Sequence, residues 1–145
     1  MKKQSSQDRK EQAAREKLLK GVPKINIGAL FMPPIWGPAH GIWITILYYP
    51  LWLFADNVFY AAYSTPTPLA IVVALMLFIA LAAITIFFAR TAQGYALERD
   101  LARGKTKEQY LKRQKYWAIG CVIFALILIV LATYYNLVIR PTVGA

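Results

Sequence analysis

Charged residues are missing from long stretches of this 145-residue chain. No Asp, Glu, Lys or Arg occurs in residues 25–55, 57–89 or 116–139. The chain nevertheless carries 17 Lys and Arg against 7 Asp and Glu, and all of them except Asp56 and Arg140 lie in residues 1–24 or 90–115. This separation of apolar from basic residues excludes an ordinary globular enzyme and a free-standing nucleic-acid-binding domain. It indicates a small integral membrane protein.

Residues that carry chemistry are also scarce. A single cysteine, Cys121, excludes an intramolecular disulfide and a multi-cysteine metal site. No carboxylate lies in the charge-free stretches, and there is no phosphate-binding glycine loop, nucleophile elbow or two-histidine zinc motif. We therefore predict that the protein is not an enzyme and has no catalytic residues, no cofactor and no metal.

The apolar runs are long enough to cross a bilayer, whose hydrocarbon core of about 30 Å takes roughly 20 helical residues. We predict transmembrane spans at residues 35–55, 69–89 and 117–139. Together they predict an all-α integral membrane domain over residues 25–145, preceded by a basic arm at residues 1–24. Residues 25–32 are predicted to form a short interfacial element.

The distribution of Lys and Arg predicts the orientation, because short basic loops resist translocation. Residues 1–24 contain eight of these cations and residues 90–115 contain eight more, whereas the loop at 56–68 has none. The N-terminus and the 90–115 loop are therefore predicted to be cytoplasmic and the C-terminus outside. The predicted location is a cell inner (plasma) membrane.

Helix-start signals predict that the second and third spans form one long hairpin whose tip, residues 90–115, protrudes into the cytoplasm. Thr67 followed by Pro68 is a typical helix start, with the hydroxyl as cap and proline in the first turn. Thr106 with Gln109 fits a capping box that opens the next helix.

Small residues are grouped on one face of each hairpin helix. On the second helix, which forms part of the hairpin and continues beyond its span, they are Ala70, Ala74, Ala82, Thr85, Ala89 and Ala92, and on the third helix Ala118, Cys121, Ala125, Ala132 and Asn136. Small side chains let helix backbones approach closely in lipid, so we predict that these faces pack against each other. Asn136 would then find a polar partner near the outer surface.

His40 is the one histidine of the chain, and it lies in a predicted span. An ionisable residue there is a functional candidate, because its charged form is costly in lipid. Its shallow position allows contact with headgroups, water or a carbonyl that Pro38 leaves free, and it favours structural hydrogen bonding over proton or ligand handling and over lipid contact.

The cations of the 90–115 loop are candidate contacts for anionic lipid or for a protein partner. They are Arg90, Arg99, Arg103, Lys105, Lys107, Lys112, Arg113 and Lys115. Near an anionic leaflet each can contribute about 1 kcal/mol. The same residues could bind RNA phosphates, but membrane insertion alone selects basic cytoplasmic loops, so we do not expect nucleic acid as a partner.

Two groups of residues carry a likeness to a family. They are Asn26-Ile27-Gly28-Ala29 followed by Ile35-Trp36-Gly37, and Gly94 followed by Gln114, Trp117 and Gly120. This pattern resembles uncharacterised small bacterial membrane proteins that open with Asn-Trp-Gly-Ala and Trp-Ile-Trp-Gly elements. The resemblance implies a compact helical membrane fold, without an assigned activity. It also implies that Trp36 and Trp117 lie at the inner boundary on adjoining helices, with Gly37 and Gly120 permitting close contact.

These observations favour a non-catalytic accessory or scaffold subunit that associates with a larger membrane complex or with anionic lipid. The alternative is a small transport or channel component that acts as an oligomer, with His40 near the path. Few polar side chains occur within the spans to line such a path. The sequence leaves open whether the chain forms a homo-oligomer.

Overall fold

A computed structural model describes residues 2–143, and every regular element in that range is helical. The α-helices are α1 (Lys2–Leu19), α2 (Ile27–Phe31), α3 (Pro33–Ala39), α4 (Tyr48–Ser64), α5 (Pro68–Ala102), α6 (Lys107–Tyr134) and α7 (Arg140–Val143). A 3₁₀ helix at Trp43–Leu47 precedes α4, and a π-helical turn at Tyr135–Ile139 joins α6 to α7. The predicted all-helical class is confirmed. Residue 1 and residues 144–145, at the ends of the two predicted regions, lie outside the described residues.

Helices α5 and α6 form the predicted hairpin, and local capping determines where each begins. Thr67 Oγ1 accepts a hydrogen bond from the backbone N of Ala70 at 3.1 Å. Thr106 and Gln109 satisfy each other's backbone N–H groups in a capping box. The 35 residues of α5 and the 37-residue helical run Lys107–Val143 are each long and apolar enough to cross a membrane.

The basic arm contains helix α1, whose residues 6–17 are exposed. Its C-terminal end is attached to the start of α6 by Lys107. The Lys107 ammonium donates to the carbonyl of Leu18 at 3.0 Å and also to that of Lys20. This contact holds α1 beside the turn at residues 103–106, and we call this end of the hairpin the turn end.

The predicted first span, residues 35–55, is not one continuous helix. Helix α3 ends at Ala39, and Gly41 turns the chain with a φ of +85°, which residues with a side chain rarely adopt. The chain then folds back so closely that a Cβ on Gly37 would lie 2.0 Å from Thr45 Oγ1. The long apolar helix of this region is therefore α4, which begins only at Tyr48 and has 17 residues.

Helix α2 lies between α5 and α6 and changes how their small-residue faces pack. It contacts both helices, whereas these two touch each other far less. Ala29 of α2 shares one core with Ala89 and Ala92 of α5 and with Cys121 and Ala125 of α6. The predicted direct contact of the two faces is therefore replaced, in the half nearer the turn end, by packing through α2.

The outward faces of α4, α5 and α6 are apolar and uncovered within the described chain. Large exposed side chains on them include Leu53, Phe54, Leu69, Phe78, Phe87, Leu126 and Val130. Soluble monomers rarely expose so large a continuous apolar surface, so these faces fit hydrocarbon better than water.

Gly37→Ala is expected to lower the free energy of unfolding by about 1–3 kcal/mol, because the added methyl group would overlap Thr45. Gly120→Ala is the matched control, since within residues 2–143 no atom beyond its chain neighbours and the backbone of its own helix lies within 4 Å of its Cβ position. The control should change stability only through helix propensity, by up to about 1 kcal/mol in the stabilising direction. Denaturation in mixed detergent micelles, followed by circular dichroism, measures both, and equal effects would contradict the close contact at Gly37.

Candidate functional site

A group of buried polar side chains lies in the half of the bundle nearer the turn end, where α2 and α3 meet α5 and α6. Its members, which we call the polar cluster, are Asn26, Trp36, His40, Gln93, Tyr110 and Gln114. Each is at most 8% exposed. Because buried polar groups require hydrogen-bond partners, their pairing decides what the cluster can do.

Asn26 is the centre of the cluster and joins the helices around it. Its side-chain amide Nδ2 donates to Gln93 Oε1 at 2.6 Å and to Gln114 Oε1 at 2.9 Å. Its Oδ1 accepts from the backbone N of Ala29 at 2.9 Å, which caps the start of α2. Its own backbone N donates to the carbonyl of Ala89 at 3.0 Å. One residue thus links α2 to both long helices.

Gln114 extends the network from α6 to α3. Its Oε1 also accepts from Trp36 Nε1 at 3.1 Å, so two donors fix the orientation of the amide. Its Nε2 consequently points at His40, with Nε2 of that ring 3.0 Å away. On the other side, the Tyr110 hydroxyl lies 3.0 Å from Gln93 Oε1 and donates toward it.

The His40 ring lies between two tryptophans. It stacks on Trp36 with 3.9 Å between ring centroids and an interplanar angle of 14°. Trp117 meets the other side edge-on, with 5.3 Å between centroids and an angle of 66°. The expectation that Trp36 and Trp117 lie on adjoining helices matches this geometry, although His40 separates their rings.

The hydrogen bonds of His40 specify a neutral ring with its proton on Nδ1. Nδ1 lies 2.7 Å from the carbonyl oxygen of Trp36, which can only accept. Nε2 must then accept from the Gln114 amide. Burial lowers the pKa of His40, which lies outside both candidate spanning helices, and the bond to the Trp36 carbonyl opposes this effect.

A buried carboxylate lies next to the cluster on α5. Asp100 is 2% exposed and is paired with Arg113 of α6, and Lys105 reaches its other oxygen at 3.4 Å. The neighbouring Arg99 donates to the backbone carbonyl of His40. Two cations of the 90–115 loop, Lys105 and Arg113, thus pair with one carboxylate, and Arg99 binds the backbone of His40.

A second polar group lies at the opposite end of the hairpin and joins α4 to the π-helical turn and α7, which follow α6. Asn136 Nδ2 donates to Asp56 Oδ1 at 2.7 Å, which supplies the polar partner predicted for Asn136. Arg140 donates to Asn136 Oδ1 at 3.0 Å and to Asn57 Oδ1 at 2.6 Å. Its guanidinium carbon also lies 3.9 Å from the centroid of the Tyr60 ring.

Most of the structural candidates chosen from sequence come together around α3. This helix carries Trp36, Gly37 and Pro38, and His40 caps its end. The carbonyl that His40 uses is that of Trp36, so the expected contact with a carbonyl freed by Pro38 is not needed. Gly120 differs from the expectation, because it faces open space instead of permitting a close helix contact.

The cations chosen from sequence separate into groups. Lys105 and Arg113 pair with the buried carboxylate of Asp100, and Arg99 donates to the carbonyl of His40. Lys107 holds α1. Arg90 borders a cleft between α1 and α5. The remaining three, Arg103, Lys112 and Lys115, are exposed.

Sequence reasoning missed Gln93, Tyr110 and Asp100, and it named Asn26 and Gln114 only for the family likeness, without a role in a site. A usable signal for the first was the position of two glutamines relative to the hairpin turn. Gln93 precedes Gly104 by eleven residues and Gln114 follows it by ten, so an antiparallel hairpin brings both amides to one level. Amides placed opposite each other beside apolar runs predict a buried hydrogen bond.

The polar cluster connects α2 and α3 to α5 and α6, because its side chains donate hydrogen bonds to and accept them from one another. Within residues 2–143, no three His, Cys, Asp or Glu side chains converge as metal ligands. Cys121 is buried and unpaired with another cysteine.

Comparisons with protein-family models, curated proteins and solved structures find no match for this chain.

Gln114→Leu keeps the volume of the side chain but removes the acceptor for Asn26 and Trp36 and the donor to His40. We expect it to lower the free energy of unfolding by about 1–3 kcal/mol for each group left without a partner. Gln12→Leu on the exposed face of α1 is the control and should leave stability unchanged. If chemical denaturation in micelles gives equal values for both variants, the cluster does not hold the fold.

Stability should depend on pH through His40. Its pKa in the folded protein lies below the ordinary value of 6.5, so the unfolded chain binds the proton more readily. The contribution of neutral His40 to the free energy of unfolding should be fully present above pH 6.5 and should decrease as the pH falls below that value. It should level off below the pKa of His40 in the folded protein. His40→Gln should remove this slope, because the chain has one histidine. A slope that persists in thermal melts of the variant would refute the assignment.

Proposed function

We propose that the chain crosses the membrane three times, with α1 and the turn end in the cytoplasm and α7 outside. Residues 43–64, the 3₁₀ helix together with α4, would form the first crossing, at a length of about 35 Å, and α5 and α6 the other two. The supporting observations are the exposed apolar faces and the distribution of Lys and Arg, which are absent from residues 56–68.

We further propose that the protein is a non-catalytic accessory or scaffold subunit of a larger membrane complex. The observation that carries this proposal is that every side chain of the polar cluster has a hydrogen-bond partner inside the cluster. Its polar groups are therefore used to join helices, and the surfaces left for interaction are apolar or basic. Such surfaces suit association with membrane proteins, acidic segments and anionic lipid.

The rival function is a transport or channel component that acts as an oligomer, with His40 near the path. His40 is the observation that favours it, as an ionisable side chain close to the membrane boundary. Both ring nitrogens of His40 are already occupied by Trp36 and Gln114, however, and its ring is packed between aromatic side chains. The proposal of an accessory subunit explains these hydrogen bonds of His40 more directly than the transport function does.

Purification of the full chain in mild detergent tests the proposal. We expect a larger membrane protein to accompany it in constant stoichiometry. Arg103→Glu/Lys112→Glu reverses exposed charges at the turn end and should reduce recovery of that partner several-fold. The charge-preserving control, Arg103→Lys/Lys112→Arg, should retain it. A homo-oligomer without another subunit would favour the transport function.

A further inference from the structure

A groove of 390 Å³ runs along α6 beside α3 and opens sideways from the bundle. Ile35 borders it on one side, and Trp117, Gly120 and Phe124 of α6 border it on the other. The α6 residues recur at every third or fourth position and so form one stripe of the helix. Arg113 begins this stripe at the end nearer the turn, about 16 Å from Phe124 along the helix axis.

Gly120 leaves room in the groove, since no described atom beyond its chain neighbours and the backbone of its own helix lies within 4 Å of the position of its missing Cβ. Ile119 and Ile123 beside it are 59% and 54% exposed, so the groove opens on an apolar surface. Residues 116–139 carry no charge, and water would find few hydrogen-bond partners there. A hydrocarbon chain therefore fits the groove better than water.

The end of the groove nearer the turn is positively charged. Arg113 and Lys105 share a single carboxylate, that of Asp100, which leaves one positive charge in excess. The side chains of both cations remain more than a third exposed, at 36% and 37%, and can be reached from outside. The guanidinium of Arg113 offers several N–H donors in the fork that suits phosphate oxygens.

We propose that the groove binds a phospholipid with a net negative headgroup. One acyl chain lies along Trp117, Gly120 and Phe124, and the phosphate contacts Arg113. The excess positive charge favours an anionic over a zwitterionic headgroup, and the apolar length of the groove requires a lipid instead of free phosphate. This inference rests on the proposed membrane placement of α6.

Quenching of tryptophan fluorescence by brominated acyl chains tests the site. In a Trp43→Phe/Trp52→Phe background the tryptophans left are Trp36, which is fully buried, and Trp117. The full chain is reconstituted in vesicles that contain brominated phosphatidylglycerol or, at the same mole fraction, brominated phosphatidylcholine. The relative association constant obtained from Trp117 quenching should be about fivefold higher for the anionic lipid than for the zwitterionic one, which is the effect expected from one uncompensated charge. Equal quenching by both lipids would overturn the proposal.

Two pairs of variants locate the lipid. Gly120→Phe fills the groove without changing charge and should abolish the preference, whereas Ile119→Phe, on the neighbouring exposed position, should keep it. Arg113→Gln should reduce the preference to near onefold, and Lys112→Gln, which makes the same change in net charge on an exposed side chain, should not. If Arg113→Gln unfolds because of the buried Asp100, the Gly120 pair decides alone. A preference that survives Gly120→Phe is general surface attraction and refutes the site.

The same experiment separates failure of the lipid site from failure of the membrane placement. Trp43 is 68% exposed at the start of the proposed first crossing. In the unsubstituted chain, fluorescence that no brominated lipid quenches would refute the placement itself. Quenching without headgroup preference would refute the lipid site and leave the accessory-subunit proposal to the purification test.

Discussion

The structure depends on one requirement, which is that the buried amide of Asn26 must be hydrogen-bonded where little water can reach it. The hydrogen bonds of Asn26 reach α2, α5 and α6 at once. An unpaired amide in an apolar environment costs several kcal/mol, on the order of 2–7, so this arrangement strongly disfavours other positions of α2. The short helix therefore lies between the two long ones. Small residues such as Ala29, Ala89 and Ala125 then follow from the space it occupies.

The environment of His40 is a consequence of the same hydrogen bonds in the polar cluster. Gln114 is held by Asn26 and Trp36, and its remaining amide nitrogen leaves His40 only the role of acceptor. The neutral ring can then stack on Trp36 and contact Trp117 without the cost of burying a charge. An ionisable residue that sequence analysis treats as a functional candidate thus serves first as a structural part of the cluster.

What remains on the surface defines how the protein meets its surroundings. The polar side chains of the cluster are turned inward, so apolar faces on α4, α5 and α6 and basic residues at the turn end are left outside. Arg113 belongs to both regions, because it pairs with buried Asp100 and also borders the groove along α6. A lipid bound there would contact the same helix that holds the polar cluster. The same helix, α6, would thus contact both the bound lipid and α3.

The sequence by itself determined the features that depend on neighbouring residues. Apolar runs predicted the long helices, and the capping of α5 by Thr67 and of α6 by Thr106 followed from hydrogen bonds that span three residues. Only the tertiary structure decided that residues 35–55 break at Gly41, that Gly120 borders a groove, and that Asn26 meets Gln93 and Gln114. Those amide partners are 67 and 88 positions away along the chain. Local preferences carry no information about such pairings, because the energy that selects them exists only once the helices have packed together.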